Sequence, residues 1–169
     1  IVSTILYGLR ISLFVSITST LIAAFIGLTL GVSAAYFGKW VDAVIMRVVD
    51  LQLSLPTILV ALIAIVTLGP GIDRIILAIV IVQWATYARL ARGVALSEIG
   101  KSYMDAARLL RLPKRRVILR HLLPNSMAPA ITLIPIELGH AIALEATLSF
   151  LGLGVPVDKP SLGSTVANG

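Results

Sequence analysis

The feature that most constrains the fold is a run of 28 residues, 11–38, that contains no formally charged side chain. Two further uncharged runs follow, residues 51–72 and 75–88. An α-helix needs about 20 apolar residues to cross the roughly 30 Å hydrocarbon core of a bilayer. The first two runs reach that length unaided. The third reaches it when the charged residues at its two ends lie at the membrane interfaces.

The composition supports a membrane protein. Hydrophobic residues make up 58% of the chain, charged residues 13%, and the mean hydropathy is +1.01. Soluble domains are about half apolar and about a quarter charged. The chain has no cysteine, which excludes disulfides and thiolate metal sites. Two histidines and scattered carboxylates do not predict a metal site either.

We therefore predict an all-α, polytopic transmembrane helix bundle that forms one domain, residues 1–169. The expected spans are about 11–37, 49–69, 73–92 and 122–145, with a cytoplasmic loop at about 93–121 and an external segment at about 151–169. The sequence Leu68-Gly69-Pro70-Gly71 predicts a tight turn between the second and third spans. Pro56 and Pro135 lie inside apolar runs, where each is expected to kink its helix.

A cluster of positive charge sets the orientation. Nine of the fourteen Lys and Arg residues lie between Arg89 and Arg120, and only Glu98 and Asp105 oppose them there. Cytoplasmic loops of membrane proteins carry an excess of Lys and Arg, so this loop is predicted to face the cytoplasm. Its position between apolar spans argues against a nucleic-acid surface.

The first span carries five small residues, each four positions after the last: Ser19, Ala23, Gly27, Gly31 and Ala35. Residues four apart share one face of a helix, and small side chains allow another helix to approach closely. Packing within the chain and packing against a second subunit both remain open at this point.

The basic loop contains the signature of a short helix. Ser102-x-x-Asp105 fits a capping box, so Ser102 is predicted to cap a helix of two to three turns that Pro113 limits. The residues that spacings of three and four place on one face are Tyr103, Ala106, Ala107 and Leu110. Such a face is suited to dock into a groove on another protein.

At this point the sequence resembles a known family. Residues 103–110 with Leu123-Pro124 resemble the cytoplasmic coupling loop, or EAA motif, of ABC importer permeases. Residues 36–42, Met46-Arg47, Asp50, Leu55-Pro56 and 145–154 resemble, more narrowly, the second, C-type permease of the dipeptide/oligopeptide/nickel group. The motifs occur in the right order over almost the whole chain, so the resemblance is specific.

The resemblance implies a type I ABC importer permease-like core of which four spans of an expected six are seen. It implies a second permease subunit, two ATP-binding subunits that hold ATP and Mg, an external solute-binding protein, and location in a bacterial or archaeal plasma membrane. The permease itself would be no enzyme and would bind no cofactor. Because the chain starts with Ile1 and lacks the terminal spans of the family, we expect it to be a fragment.

Carried over by position, the coupling residues are Tyr103, Asp105, Ala106, Ala107, Leu110 and Arg111. Asp105 stands where the motif usually has Glu, and Arg111 stands where it usually has Gly. That Gly permits a bend after the helix. The transported solute, whether dipeptide, oligopeptide, nickel or another, has no recognisable side-chain code.

Three ionisable residues in or near the fourth span, Glu137, His140 and Glu145, allow a second interpretation. Such groups are costly in lipid and usually face an aqueous path or a partner. In one interpretation these residues line the translocation path for the solute. In the other, Glu137 pairs with His140. In the alternative function these residues form the proton relay of a secondary transporter. A third alternative is a non-transporting membrane fragment.

Gly100-Lys101-Ser102 resembles the end of a phosphate-binding loop. It lacks the earlier glycine of that motif, since Ala95 occupies the position, so nucleotide binding by this chain is not predicted.

Overall fold

The computed structural model describes residues 2–153, with side chains from residue 6 onward. Its helices are α1 (Val2–Phe37), α2 (Lys39–Ser54), α3 (Thr57–Leu68), α4 (Ile72–Ile99), α5 (Ser102–Leu109), α6 (Lys114–Val117), a π-helical turn (Ile118–Leu122) and α7 (Leu123–Phe150). No strand occurs among these described residues. The all-α prediction is confirmed. Most of the predicted external segment, residues 151–169, lies outside the described residues. This part includes Gly154, the last residue of the motif at 145–154.

Within the described part of the chain, three helical segments are long and apolar enough to cross a membrane: Leu6–Phe37, Ile72–Ile99 and Lys114–Phe150. A fourth is obtained when the broken pair α2 and α3 counts as one span. Large apolar side chains are exposed along these helices, among them Phe25, Ile63 and Val66. In water such exposure would be unfavourable, whereas lipid solvates it. The helices therefore define a polytopic membrane protein.

The two prolines inside apolar runs behave differently. At Pro56 the chain leaves the helical conformation, with ψ of 124°, so the predicted span 49–69 is split into α2 and α3. Proline lacks an N–H group and disfavours helical geometry in the residue before it, which explains the break. Pro135, in contrast, lies within the uninterrupted α7. The sequence predicted a kink at each proline, but it did not show that only Pro56 would interrupt its helix.

The turn at residues 69–71 joins α3 to α4, and it uses two glycines with positive φ. Gly69 has φ of +85° and Gly71 has φ of +146°. L-residues with side chains rarely adopt these angles, so glycine is required at both positions. The Gly69 N–H donates to the Ile65 carbonyl at 2.7 Å and closes the end of α3.

The chain forms two compact units, each with its own core. Of the described residues, the first comprises 2–23, 55–83 and 134–153, and the side chains of Val15, Ile65, Ile75 and Leu148 are almost fully buried in it. The second comprises residues 24–54 and 84–133. It contains two apolar clusters, one around Val49, Ala85 and Ala88, and one around Met104, Ala107 and Val117.

Candidate functional site

The candidate site is the short helix α5, which begins the polar segment after α4. Eight residues are too few for a stable isolated helix in water. Tertiary packing holds it instead, because Met104 and Ala107 are buried against Val117. Partly buried apolar side chains complete this cluster: Tyr36, Ile99, Tyr103 and Leu112.

The exposed face of α5 differs from the predicted one. Ala107 is buried and Tyr103 is half-buried, so these two side chains do not share the free face with Ala106 and Leu110. Leu109 and Leu110 are 84% and 72% exposed. Residue spacing identified which residues can share a face, but it did not reveal that Met104 supplies the inner anchor. The free face consists of Asp105, Ala106, Arg108, Leu109 and Leu110.

The predicted cap by Ser102 is not formed. Lys101 occupies the cap position, with an extended backbone at φ −84° and ψ 150°, and no side chain caps the helix there. Ser102 is already the first helical residue, which moves its hydroxyl out of the capping geometry. Asp105 accepts a hydrogen bond from the Arg108 guanidinium at 3.0 Å, on the exposed side of the helix.

The end of α5 shows how Arg111 replaces the glycine of the motif. Arg111 has φ of +48°, the left-handed conformation that glycine adopts most readily. Its N–H donates to the Arg108 carbonyl at 3.0 Å, and the Leu112 N–H donates to the Ala107 carbonyl at 3.2 Å. These two bonds form a Schellman motif. The turn expected of glycine is therefore made by arginine, at a conformational cost of about 1 kcal/mol.

A polar network surrounds the start of α5. The Tyr103 hydroxyl donates to Glu98 Oε2 at 2.8 Å, and the Lys101 ammonium donates to Glu98 Oε1 at 2.5 Å. The amide of Asn125 donates to the Tyr103 oxygen at 3.4 Å. Burial, followed by the hydrogen bond to Glu98, raises the pKa of Tyr103 above its ordinary value. The phenol is therefore protonated at neutral pH and acts as the donor.

Two ion pairs join α2 to α4, and neither was predicted from the sequence. Arg92 donates two hydrogen bonds to the Asp42 carboxylate, from Nε to Oδ1 and from Nη2 to Oδ2, the second at 2.6 Å. Asp50 pairs with Arg89. Two-point contacts of this kind fix orientation as well as distance. The sequence shows two aspartates on α2 and two arginines near the end of α4. It does not show which aspartate pairs with which arginine.

The five small residues spaced four apart in α1 are all buried: Ser19, Ala23, Gly27, Gly31 and Ala35. A Cβ added to Gly27 would lie 2.5 Å from the Trp84 carbonyl oxygen, and one added to Gly31 would lie 2.3 Å from the Ala88 carbonyl oxygen. These distances are far below van der Waals contact. The structure thus places this part of the stripe against α4 of the same chain, which is the intrachain alternative.

The three ionisable residues of α7 do not form one group of contacts. Glu137 Oε1 lies 3.5 Å from His140 Nδ1, with Glu137 buried and His140 exposed. Glu145 is fully buried and accepts hydrogen bonds from the hydroxyls of Ser12 and Ser149, both at 2.7 Å. Among residues 2–153, no group of three or more His, Cys, Asp or Glu side chains is suited to hold a metal ion.

These features define a polytopic helical membrane protein with a short, partly exposed helix in its polar segment. The sequence matches the family described as "Binding-protein-dependent transport system inner membrane component" over residues 23–169, and the chain belongs to that family.

Similar curated proteins are named as permeases of peptide transport systems. The chain is 38% identical over 165 residues to a putative peptide transport system permease protein of Brucella suis biovar 1 (strain 1330), covering 98% of this chain and 55% of that protein. It is 36% identical over 168 residues to the dipeptide transport system permease protein DppC of Alkalihalophilus pseudofirmus, covering 99% of this chain and 55% of that protein. The chain spans about half the length of the curated relatives it matches.

Proposed function

We propose that this chain is part of a permease subunit of an ATP-driven ABC importer for peptides or a related small solute, in a bacterial or archaeal plasma membrane. Its spans form part of the translocation path, and α5 couples them to an ATP-binding subunit. The observation that carries the proposal is the division of α5 into two faces. One is anchored by Met104 and Ala107, and the other presents exposed Leu109 and Leu110.

A helix with this division is suited to transmit motion. Its free apolar side chains can enter a groove of a partner, as amphipathic recognition helices do. Its buried side chains connect the same helix to the apolar cluster of the second unit. Displacement of the partner groove would therefore move α5 and the elements packed on it.

The charge around α5 indicates the character of that groove. Exposed basic residues lie in the last turn of α5 and closely after it: Arg108, Arg111, Lys114, Arg115, Arg116 and Arg120. A partner surface with carboxylates at its rim complements this charge and would speed association. The remaining partners are a second permease subunit, a second ATP-binding subunit and an external solute-binding protein. ATP and Mg belong to the ATP-binding subunits.

The test is co-purification of the ATP-binding subunit with the full-length permease from host membranes in mild detergent. Leu109→Asp should abolish co-purification, because it places a charge on the free apolar face. Leu119→Asp is the matched control, since Leu119 is also exposed but lies in the π-helical turn outside α5. It should retain the partner.

Two results would contradict the proposal. Retention of the ATP-binding subunit by Leu109→Asp would show that this face is not the contact. Solute uptake that follows an imposed proton gradient and needs no ATP would favour the secondary transporter, with Glu137, His140 or Glu145 as the groups to substitute next.

A further inference from the structure

Three hydrogen-bonding side chains from three separate elements converge beside α5. Glu98 lies in the last turn of α4, Tyr103 in the first turn of α5, and Asn125 in the first turn of α7. The Tyr103 hydroxyl is the common member: it donates to Glu98 at 2.8 Å and accepts from Asn125 at 3.4 Å. The three elements thus meet at one oxygen atom.

Each member of this group is held by a further contact. The Glu98 side chain is only 11% exposed, and its other oxygen accepts from Lys101 at 2.5 Å. The Asn125 amide also donates to the His121 carbonyl at 2.7 Å. His121 belongs to the π-helical turn, where the backbone hydrogen-bonding pattern shifts and carbonyls need other partners. Glu98 and Asn125 therefore each have a hydrogen-bond partner besides Tyr103.

Apolar packing alone does not fix α5 in this way. The buried contacts of Met104 and Ala107 are non-directional, and a methionine and an alanine offer a small, adaptable surface. Hydrogen bonds depend steeply on distance and angle, so they define the register of the helix. The bond from a hydroxyl to a carboxylate is also stronger than one between neutral groups.

We propose that Glu98 and Asn125 are positioning residues that act through the Tyr103 hydroxyl, so that movement of α5 is transferred to α4 and α7 together. This inference rests on the proposed coupling function and adds the connection by which the coupling helix acts on the spans. Glu98 makes the closer contact and Asn125 the longer one. Glu98 is therefore the stronger connection, and substitution at Asn125 should have the smaller effect.

The experiment uses the full-length permease with its partner subunits, reconstituted in proteoliposomes with the solute-binding protein and a dipeptide as the probe. The measured quantity is solute taken up per ATP hydrolysed. Tyr103→Phe removes the hydroxyl and keeps the ring, and it should lower this ratio about tenfold, the effect expected of one hydrogen bond to a charged group. Tyr36→Phe is the matched control in the same apolar cluster and should leave the ratio unchanged.

A rescue series separates positioning from folding. Glu98→Ala should lower the ratio as Tyr103→Phe does, whereas Glu98→Gln keeps an acceptor oxygen of the same reach and should restore much of it. In all these variants the ATP-binding subunit should still co-purify, because the free face of α5 is unchanged. Asn125→Ala should lower the ratio about twofold, as expected of a weaker neutral contact.

Three outcomes would overturn the inference: an unchanged ratio in Tyr103→Phe, an equal loss in Tyr36→Phe, or no difference between Glu98→Gln and Glu98→Ala. Loss of the ATP-binding subunit from Tyr103→Phe would also overturn it, because the hydroxyl would then serve docking or folding. Failure of the proposed function is recognised separately, since Leu109→Asp would retain the ATP-binding subunit in that case.

Discussion

The two compact units of this chain satisfy their polar side chains in different ways. In the first unit, hydroxyl and amide groups supply the partners: Ser12 and Ser149 donate to Glu145, and Thr20 donates to Gln83. The contact between Glu137 and His140 is the one charged pairing described there, and it requires a protonated histidine. In the second unit, arginine and lysine pair with carboxylates, as in Asp42 with Arg92.

The difference follows from the surroundings of each unit. Charged side chains are costly in hydrocarbon, so the apolar first unit uses neutral donors around a buried carboxyl group. The ion pairs of the second unit are partly exposed, where water lowers the cost of a charge but also weakens the pairing. We conclude that buried hydrogen bonds stabilise the first unit. The ion pairs of the second unit mainly determine how α2 and α4 are aligned.

The largest expected effect tests whether packing, rather than ion pairing, stabilises the second unit. Gly31→Ala places a methyl group 2.3 Å from the Ala88 carbonyl oxygen. The helices must separate, and the free energy of unfolding should fall by about 3 kcal/mol. Thermal unfolding in detergent measures this. Gly93→Ala is the matched control, because no atom of another helix lies within 4 Å of its added Cβ. Equal stability of the two variants would contradict the close packing.

The next effect tests the first unit. Ser12→Ala removes one of the two hydroxyl donors to the buried Glu145 and should lower the free energy of unfolding by about 2 kcal/mol. Ser33→Ala is the control, since the Ser33 hydroxyl donates to the Thr29 carbonyl of its own helix. Chemical denaturation in mixed micelles measures both. A smaller loss in Ser12→Ala than in Ser33→Ala would remove the distinction drawn between the units.

A smaller effect is expected at the exposed ion pairs. Asp50→Asn weakens the pair with Arg89, in which both side chains are more than half exposed. The free energy of unfolding should change by no more than about 0.5 kcal/mol, and the change should shrink as salt is added. Denaturation at low and at high ionic strength measures it. A loss as large as that in Ser12→Ala, insensitive to salt, would show that the ion pairs of the second unit are structural after all.

The smallest effect concerns the turn after α5. Arg111→Gly relieves the left-handed strain at φ of +48° but increases the freedom of the unfolded chain. The two terms nearly cancel, so the melting temperature should stay the same or rise slightly. Arg111→Val is the contrasting variant and should destabilise by about 1 kcal/mol, because a β-branched residue tolerates this conformation poorly. A clear loss in Arg111→Gly would mean that the arginine side chain has a contact of its own.

The sequence predicted those parts of the fold that depend on neighbouring residues. The first and third apolar runs predicted long helices, and Gly69-Pro70-Gly71 predicted the turn that joins α3 and α4. A short helix before Pro113 was likewise predicted from local signals and is present as α5. Each of these features is decided within a few residues, by side-chain hydrophobicity and by the backbone angles that glycine and proline allow.

The sequence did not predict features that depend on distant partners. The anchoring role of Met104, the missing cap at Ser102 and the left-handed backbone of Arg111 all follow from how α5 packs on its neighbours. The hydrogen bonds of Glu98 and Asn125 with Tyr103 were missed for the same reason, because this common partner is reached only in the folded chain.

The sequence by itself thus determined that this chain is an all-helical membrane protein and marked the polar segment in which α5 lies. The tertiary structure alone decided which face of that helix is free, which helix Gly27 and Gly31 approach, and that Glu145 meets Ser12, 133 positions away. Periodicity specifies which residues share a face, because helix geometry is local. It does not specify what that face will contact, because contacts between distant segments depend on the packing of the whole chain.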